Sequence, residues 1–223
     1  MSDPHAEYEL FVRLLDRVGY SDSDELYICG DMIDKGQRSV ALVKQVFALP
    51  GARPIMGNHE YEFLKYYNAV MREYDGDCDA ALDRLRAYFP HDGELLDWDT
   101  VDAIESLPLY IETNDFICTH AGLPLLPDGR VTPPRLVGAE ELLYNRKFKS
   151  PSLIPRASKC VFYGHTATTA LISQPRIICY RRGEGKSIRD YAKIHLDTGV
   201  FVSGVLGCFS VDECRCYYVR KGG

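Results

Sequence analysis

The chain has no apolar run long enough to cross a bilayer and no basic-then-apolar opening of the signal-peptide kind, so neither a membrane span nor a secretory leader is expected. A basic excess is missing too. With 26 basic against 32 acidic side chains the net charge is −6, which leaves no global field to draw the protein to nucleic acid. Internal repeats, low-complexity tracts and a recognisable linker are also absent, and 1–223 reads as a single domain. The 8 cysteines do not make a disulfide scaffold in a chain this long. Cys29, Cys118, Cys160 and Cys179 lie in or beside apolar strand-like runs, the pattern of small buried thiols in a reducing compartment. A cytoplasmic monomer is expected.

What the chain does have is a strand, polar loop, helix rhythm. Apolar residues at helical spacing predict a helix over Glu7–Val18, followed by a short strand at Leu26–Cys29 that runs into Gly30 and Asp31. A second helix is predicted over Val40–Leu49 and a strand over Arg53–Met56 that runs into Gly57 and Asn58. Tyr61–Leu107 reads as a helical excursion without ligand-type motifs. A hairpin follows at Leu109–Glu112 and Phe116–Thr119, a short helix at Glu140–Tyr144, and then a strand-rich last third. The fold class expected is α/β, with its chemistry at the carboxyl ends of strands.

Five polar motifs occupy those strand ends in order: Asp3-Pro4-His5, Gly30-Asp31-Met32-Ile33-Asp34-Lys35-Gly36, Gly57-Asn58-His59-Glu60, His120-Ala121-Gly122 and Gly164-His165-Thr166. Each alone has a plain explanation, since Asp, Asn and Gly favour turns and a histidine beside a strand is commonly just packed. Four of the 6 histidines fall inside these motifs, and that convergence favours a metal centre. Asp31 can bridge two cations, one through each oxygen, while Asp3 and His5 can face one ion from a tight loop. Asn58, His120 and His165 can complete the shell of the other. Mixed oxygen and nitrogen donors suit manganese, with iron or zinc as alternatives, better than calcium or magnesium. His59 is placed to protonate a leaving oxygen with Asp34 holding its tautomer, and Lys35 and Arg146 offer charge to phosphoryl oxygens.

The ordered set resembles the phosphoprotein phosphatase family of calcineurin-like metallophosphatases, specifically its small bacterial and bacteriophage-type serine/threonine phosphatases. Asp197-Thr198-Gly199 and Leu142-Leu143-Tyr144-Asn145-Arg146 match further pieces of that pattern. The resemblance implies two mixed β-sheets packed as a sandwich and flanked by helices. It implies metal ligands Asp3, His5 and Asp31 for one ion and Asp31, Asn58, His120 and His165 for the other. Further implications are a bridging hydroxide nucleophile, His59 and Asp34 as catalytic residues, and Lys35, Asn58 and Arg146 on the substrate phosphate. The implied activity is hydrolysis of phosphoserine or phosphothreonine esters. A dinucleoside polyphosphate hydrolase and a non-catalytic binding module are the alternatives; Asp34 and Glu60 are read as favouring the protein phosphatase branch.

Several positions depart from the pattern. Lys35 replaces an arginine and loses its planar fork, Met56 stands where another arginine is usual, and Pro4 and Ala6 replace glycine-type flexibility in the first loop. Only Met1 and Ser2 precede Asp3, so the first core strand is expected to be missing from these residues, with Met1 read as an internal methionine in preference to a fold that lacks the strand. Asp3 is expected to sit on a fraying end.

Overall fold

The computed structural model describes residues 1–92, 94–156 and 159–222. Helix α1 (Tyr8–Val18) buries Leu10, Phe11 and Leu14 on one face and stops at Gly19, which takes the left-handed conformation with φ 67°. Strand β1 (Leu26–Ile28), helix α2 (Ser39–Ala48) and strand β2 (Ala52–Pro54) follow, with β1 and β2 parallel. The helical excursion is α3 (Asn58–Arg72), α4 (Cys78–Tyr88) and α5 (Trp98–Glu105). It starts three residues earlier than the sequence reading places it, because Gly57 rather than a later residue caps α3, so Asn58 and His59 stand in a helical first turn.

The second sheet has five strands in the order β3-β4-β5-β7-β6: β3 (Tyr110–Glu112), β4 (Phe116–Thr119), β5 (Cys160–Tyr163), β6 (Ile178–Arg181) and β7 (Tyr191–His195). Strands β4, β5 and β7 run parallel at its centre, and the edge strands β3 and β6 are antiparallel. Helix α6 (Ala139–Tyr144) lies between β4 and β5 in sequence, and the hairpin β8 (Val205–Ser210) and β9 (Arg215–Arg220) closes the chain. One face of the five-stranded sheet packs Phe116, Cys118 and Phe162 against Cys29 and Ile55 of the β1–β2 layer and Phe209 of β8. Its other face packs Ile117, Val161 and Tyr163 against Leu123, Leu142 and Phe148. A third cluster joins α1, α2 and α3 to Ile28, Leu206 and Val219. The expected sandwich of mixed sheets flanked by helices is therefore the fold, built as one five-stranded sheet facing two strand pairs.

No strand precedes β1 among the described residues, yet Asp3 does not fray. The Met1 ammonium donates to Tyr27 O at 2.8 Å, Cys29 N–H donates to Met1 O at 2.9 Å, and Asp3 N–H donates to Gly30 O at 3.1 Å. These bonds lay the first residues along the end of β1, and Asp3 is 1% exposed. The expectation of a loose end fails because the terminal backbone finds ladder partners and its side chains are covered. Beyond Met1 a groove of about 560 Å³ runs between β1 and β8, floored by Phe116, Cys118 and Phe162.

Candidate metal centre

The centre forms where β1, β2, β4, β5 and β7 end, the strand-end position that open α/β sheets use for ligands. Asp31 lies in its middle, 1% exposed, with its two oxygens turned to different neighbours. Oδ1 is 3.4 Å from His120 Nε2, whereas Oδ2 is 3.7 Å from His5 Nε2 and 3.9 Å from His59 Nε2. On the Oδ1 side, Asn58 Oδ1 is 2.9 Å from His120 Nε2 and 2.8 Å from His165 Nδ1, and the two imidazole nitrogens are 3.2 Å apart. On the Oδ2 side, Asp3 Oδ1 is 4.0 Å from His5 Nε2, and Lys35 Nζ is 2.8 Å from the same nitrogen. His5, Asp31 and His59 make one group able to hold a cation, and Asp31, His120 and His165 another.

Hydrogen bonds on the far side of the rings set which nitrogen faces inward. His5 Nδ1–H donates to Ile33 O at 3.1 Å and His120 Nδ1–H donates to Cys29 O at 2.8 Å, so each presents an Nε2 lone pair to the centre. Burial lowers His5 to about 4 and His165 to about 3, which keeps both in the neutral form that a metal requires. Burial pushes Asp31 upward, but the imidazoles of His120, His5 and His59 and the His59 N–H outweigh it and hold the carboxyl below its usual range. Burial, reinforced by Asp197 and Asp31, pushes Asp3 well above that range. Inward lone pairs beside carboxylate and amide oxygens are acceptors facing acceptors, a donor set that fits divalent cations.

His59 is the exception among the histidines. Its Nδ1 is 2.8 Å from Asp34 Oδ2, and although burial alone would lower its pKa, that hydrogen bond and the charge of Asp31 raise it. Asp34 accepts a second, longer bond from Tyr88 O–H at 3.4 Å. Arg146 is exposed just past α6, and its charge helps to lower His165. The sequence-selected residues Asp3, His5, Asp31, Asp34, Lys35, Asn58, His59, His120 and His165 all meet here, with Arg146 at the rim.

The local backbone is strained where the chemistry sits. Asp3, His5, Ala6, Asp31, Asp34, Lys35 and His165 all have positive φ, and Ala6 at 57° adopts what the sequence reading took to be too costly. Its N–H donates to Met32 O at 2.8 Å and its C=O accepts from Arg38, bonds that over-determine the turn. Glu60 is the residue the sequence reading undervalued. Its buried carboxylate accepts from the N–H groups of Asp31 at 2.8 Å, Met32 at 2.7 Å, Ile33 at 3.1 Å and Gly57 at 2.9 Å. It thereby moulds the loop that carries Asp31. A side chain at Gly57 would collide with the Asp31 carboxylate. Asp197, raised to about 6 mainly by burial and partly by Asp31, was noticed only as part of a motif; it lies close enough to Asp3 for its charge to raise that carboxyl.

The calcineurin-like phosphoesterase family model matches residues 1–195. The chain belongs to this family. Among its relatives are symmetrical bis(5'-nucleosyl)-tetraphosphatases of Vibrio campbellii, 30% identical over 52% of this chain and 41% of that protein, and of Aggregatibacter actinomycetemcomitans, 28% identical over 63% and 48%. In these matches the chain spans less than half of the relative's length. An asymmetrical bis(5'-nucleosyl)-tetraphosphatase, PrpE of a Geobacillus species, is 24% identical over 96% of this chain and 89% of its own. A crystal structure provisionally described as a diadenosine tetraphosphatase shares the fold with a TM-score of 0.65 at 21% identity, covering 98% of this chain and 90% of that one. These relatives carry tetraphosphatase names rather than protein phosphatase names, and give the serine/threonine expectation no support. No described helix is long and apolar enough to cross a membrane.

Proposed function

We propose that this metallophosphoesterase hydrolyses dinucleoside polyphosphates at a phosphoanhydride bond. The observation that carries the chemistry is the position of Asp31 between two donor groups, one oxygen toward each. The substrate class is supported by the relatives' names, including the one that matches along nearly the whole chain. Asp3, His5 and Asp31 would hold one divalent ion and Asp31, Asn58, His120 and His165 the other, with manganese the leading choice and iron or zinc the alternatives. When bound, such ions supply Lewis acidity and neutralise charge at the scissile phosphate.

The remaining work falls to protein groups. Arg146 is a bidentate partner for phosphoryl oxygens, Lys35 a point charge and Asn58 an amide donor beside them. Water attacks phosphorus, the P–O bond to the leaving phosphate breaks, and His59 supplies a proton to that oxygen where its basicity demands one. Asp34 keeps His59 in the tautomer whose Nε2 faces the centre. The same His59–Asp34 pair favours a second reading, a phosphoserine or phosphothreonine monoesterase, because an alkoxide leaving group needs the proton more.

The deciding experiment compares manganese-loaded protein on diadenosine tetraphosphate, a phosphoserine peptide and an aryl phosphate. A kcat/KM at least about tenfold higher on the dinucleotide supports the proposal, since that is ~1.4 kcal/mol of preference in the transition state. The reverse order establishes the second reading, and metal binding without turnover on any of the three points to a binding module.

A further inference from the structure

We infer that Lys193 is a positioning residue: its ammonium, tied to the carbonyls of Phe148 and Ser150, aims the loop that carries Arg146. This rests on the reading of Arg146 as a phosphate-binding group. Lys193 lies on β7 with 0% exposure, an unusual place for a lysine. Its Nζ donates to Phe148 O at 2.6 Å and to Ser150 O at 2.8 Å. Three ring faces surround the charge, with centroids 4.5 Å away at Tyr180, 4.9 Å at Phe148 and 5.8 Å at Tyr163. Among the described residues no carboxylate pairs with it. Two carbonyls and three π faces are what offset the cost of burying this ammonium.

Arg146 is exposed and, among the described residues, its guanidinium makes no hydrogen bond or ion pair with the protein. No polar partner among the described residues fixes its side chain, so the backbone beneath it sets where the guanidinium starts from. Two side chains hold that backbone, beside its own turn bonds from Ser150 N–H to Lys147 O at 3.0 Å and from Leu153 N–H to Ser150 O at 3.1 Å. Asn145 Oδ1 accepts from Lys147 N–H at 2.8 Å and Phe148 N–H at 3.3 Å, just past α6. Lys193 then fixes the carbonyls of Phe148 and Ser150 from the sheet side. The segment also bears on the metal centre, because the Phe148 ring lies so close to Gly122 that a side chain there would collide with it, two residues after His120. An apolar residue at 193 would leave the Phe148 carbonyl without a donor and Ser150 O with only the Leu153 N–H at 3.1 Å, and the loop freer to shift.

The test is a double-mutant cycle on manganese-loaded protein with diadenosine tetraphosphate. Lys193→Met is expected to raise KM roughly tenfold with kcat within about twofold, the signature of lost substrate binding, and to leave manganese stoichiometry unchanged. In an Arg146→Ala background the same change should have no further effect on KM, since the group being aimed is gone. Lys193→Gln keeps an N–H donor for one carbonyl and should show a roughly threefold rise; it carries the cycle if the Met variant does not fold. An unchanged KM in the folded Lys193 variants overturns the inference, as do effects that multiply independently of Arg146→Ala. If Arg146→Ala alone leaves KM untouched, the phosphate-arginine reading falls and this inference with it; independent effects alongside an active Arg146 sink only the inference.

Discussion

The two halves of the metal centre are built from different materials. Asn58, His120 and His165 come from the first turn of a long helix and from the ends of β4 and β5, so each is anchored by a full element. Asp3 and His5 come from the first residues, which rest on the end of β1 and on a turn of positive φ. The electrostatics differ in the same direction. Asp31, held below its usual range, serves both halves, and His165 in the second and His5 in the first are both kept neutral; the contrast lies in the neighbours of His5. In the first half Asp3 is pushed toward its protonated form, and the Lys35 ammonium already occupies the space beside His5 Nε2. A cation entering there must displace that tethered charge. One half is preorganised and the other is conditional.

The largest effect should come from the residue the halves share. Asp31→Asn removes the negative charge common to both groups, and turnover should fall by more than the ~10–100-fold that losing an outer partner of a metal site costs. Activity measured with metal analysis on the same sample checks this, and full activity with both ions retained would show that the halves do not depend on Asp31. His59 separates ligation from proton delivery. His59→Asn should leave manganese content intact while slowing alkyl phosphate esters by about 10²–10⁴-fold and activated aryl esters far less. Loss of an ion from this variant would move His59 into the first half as a ligand, a possibility its place with His5 and Asp31 makes concrete.

Much of the centre was legible in the sequence because metal ligands come as short local motifs at strand ends, each recognisable without knowing its partners. Asp31 and His120 follow apolar runs, and the resemblance to a known family grouped them with the other ligands. What stayed hidden depends on tertiary contact. Glu60 looked like part of a family spelling, yet its work is to gather four backbone N–H groups from two loops. Lys193 sits in a strand-like run whose pattern says nothing of the carbonyls it reaches 45 residues away in sequence. The first residues were judged unsupported because only Met1 and Ser2 precede Asp3, but backbone partners on β1 cannot be seen in side-chain patterns. The turn at Ala6 reads as costly from sequence for the same reason, since the bonds that hold it lie on other segments.

Calorimetric titration with manganese tests the unequal two-site centre most directly. The account predicts two binding events per chain, a tight one at Asn58, His120 and His165 and a weaker one at Asp3 and His5. Asn58→Ala should abolish the tight event, and His5→Ala the weak one. A single event per chain, or two equally tight events in the chain as it stands, would contradict it.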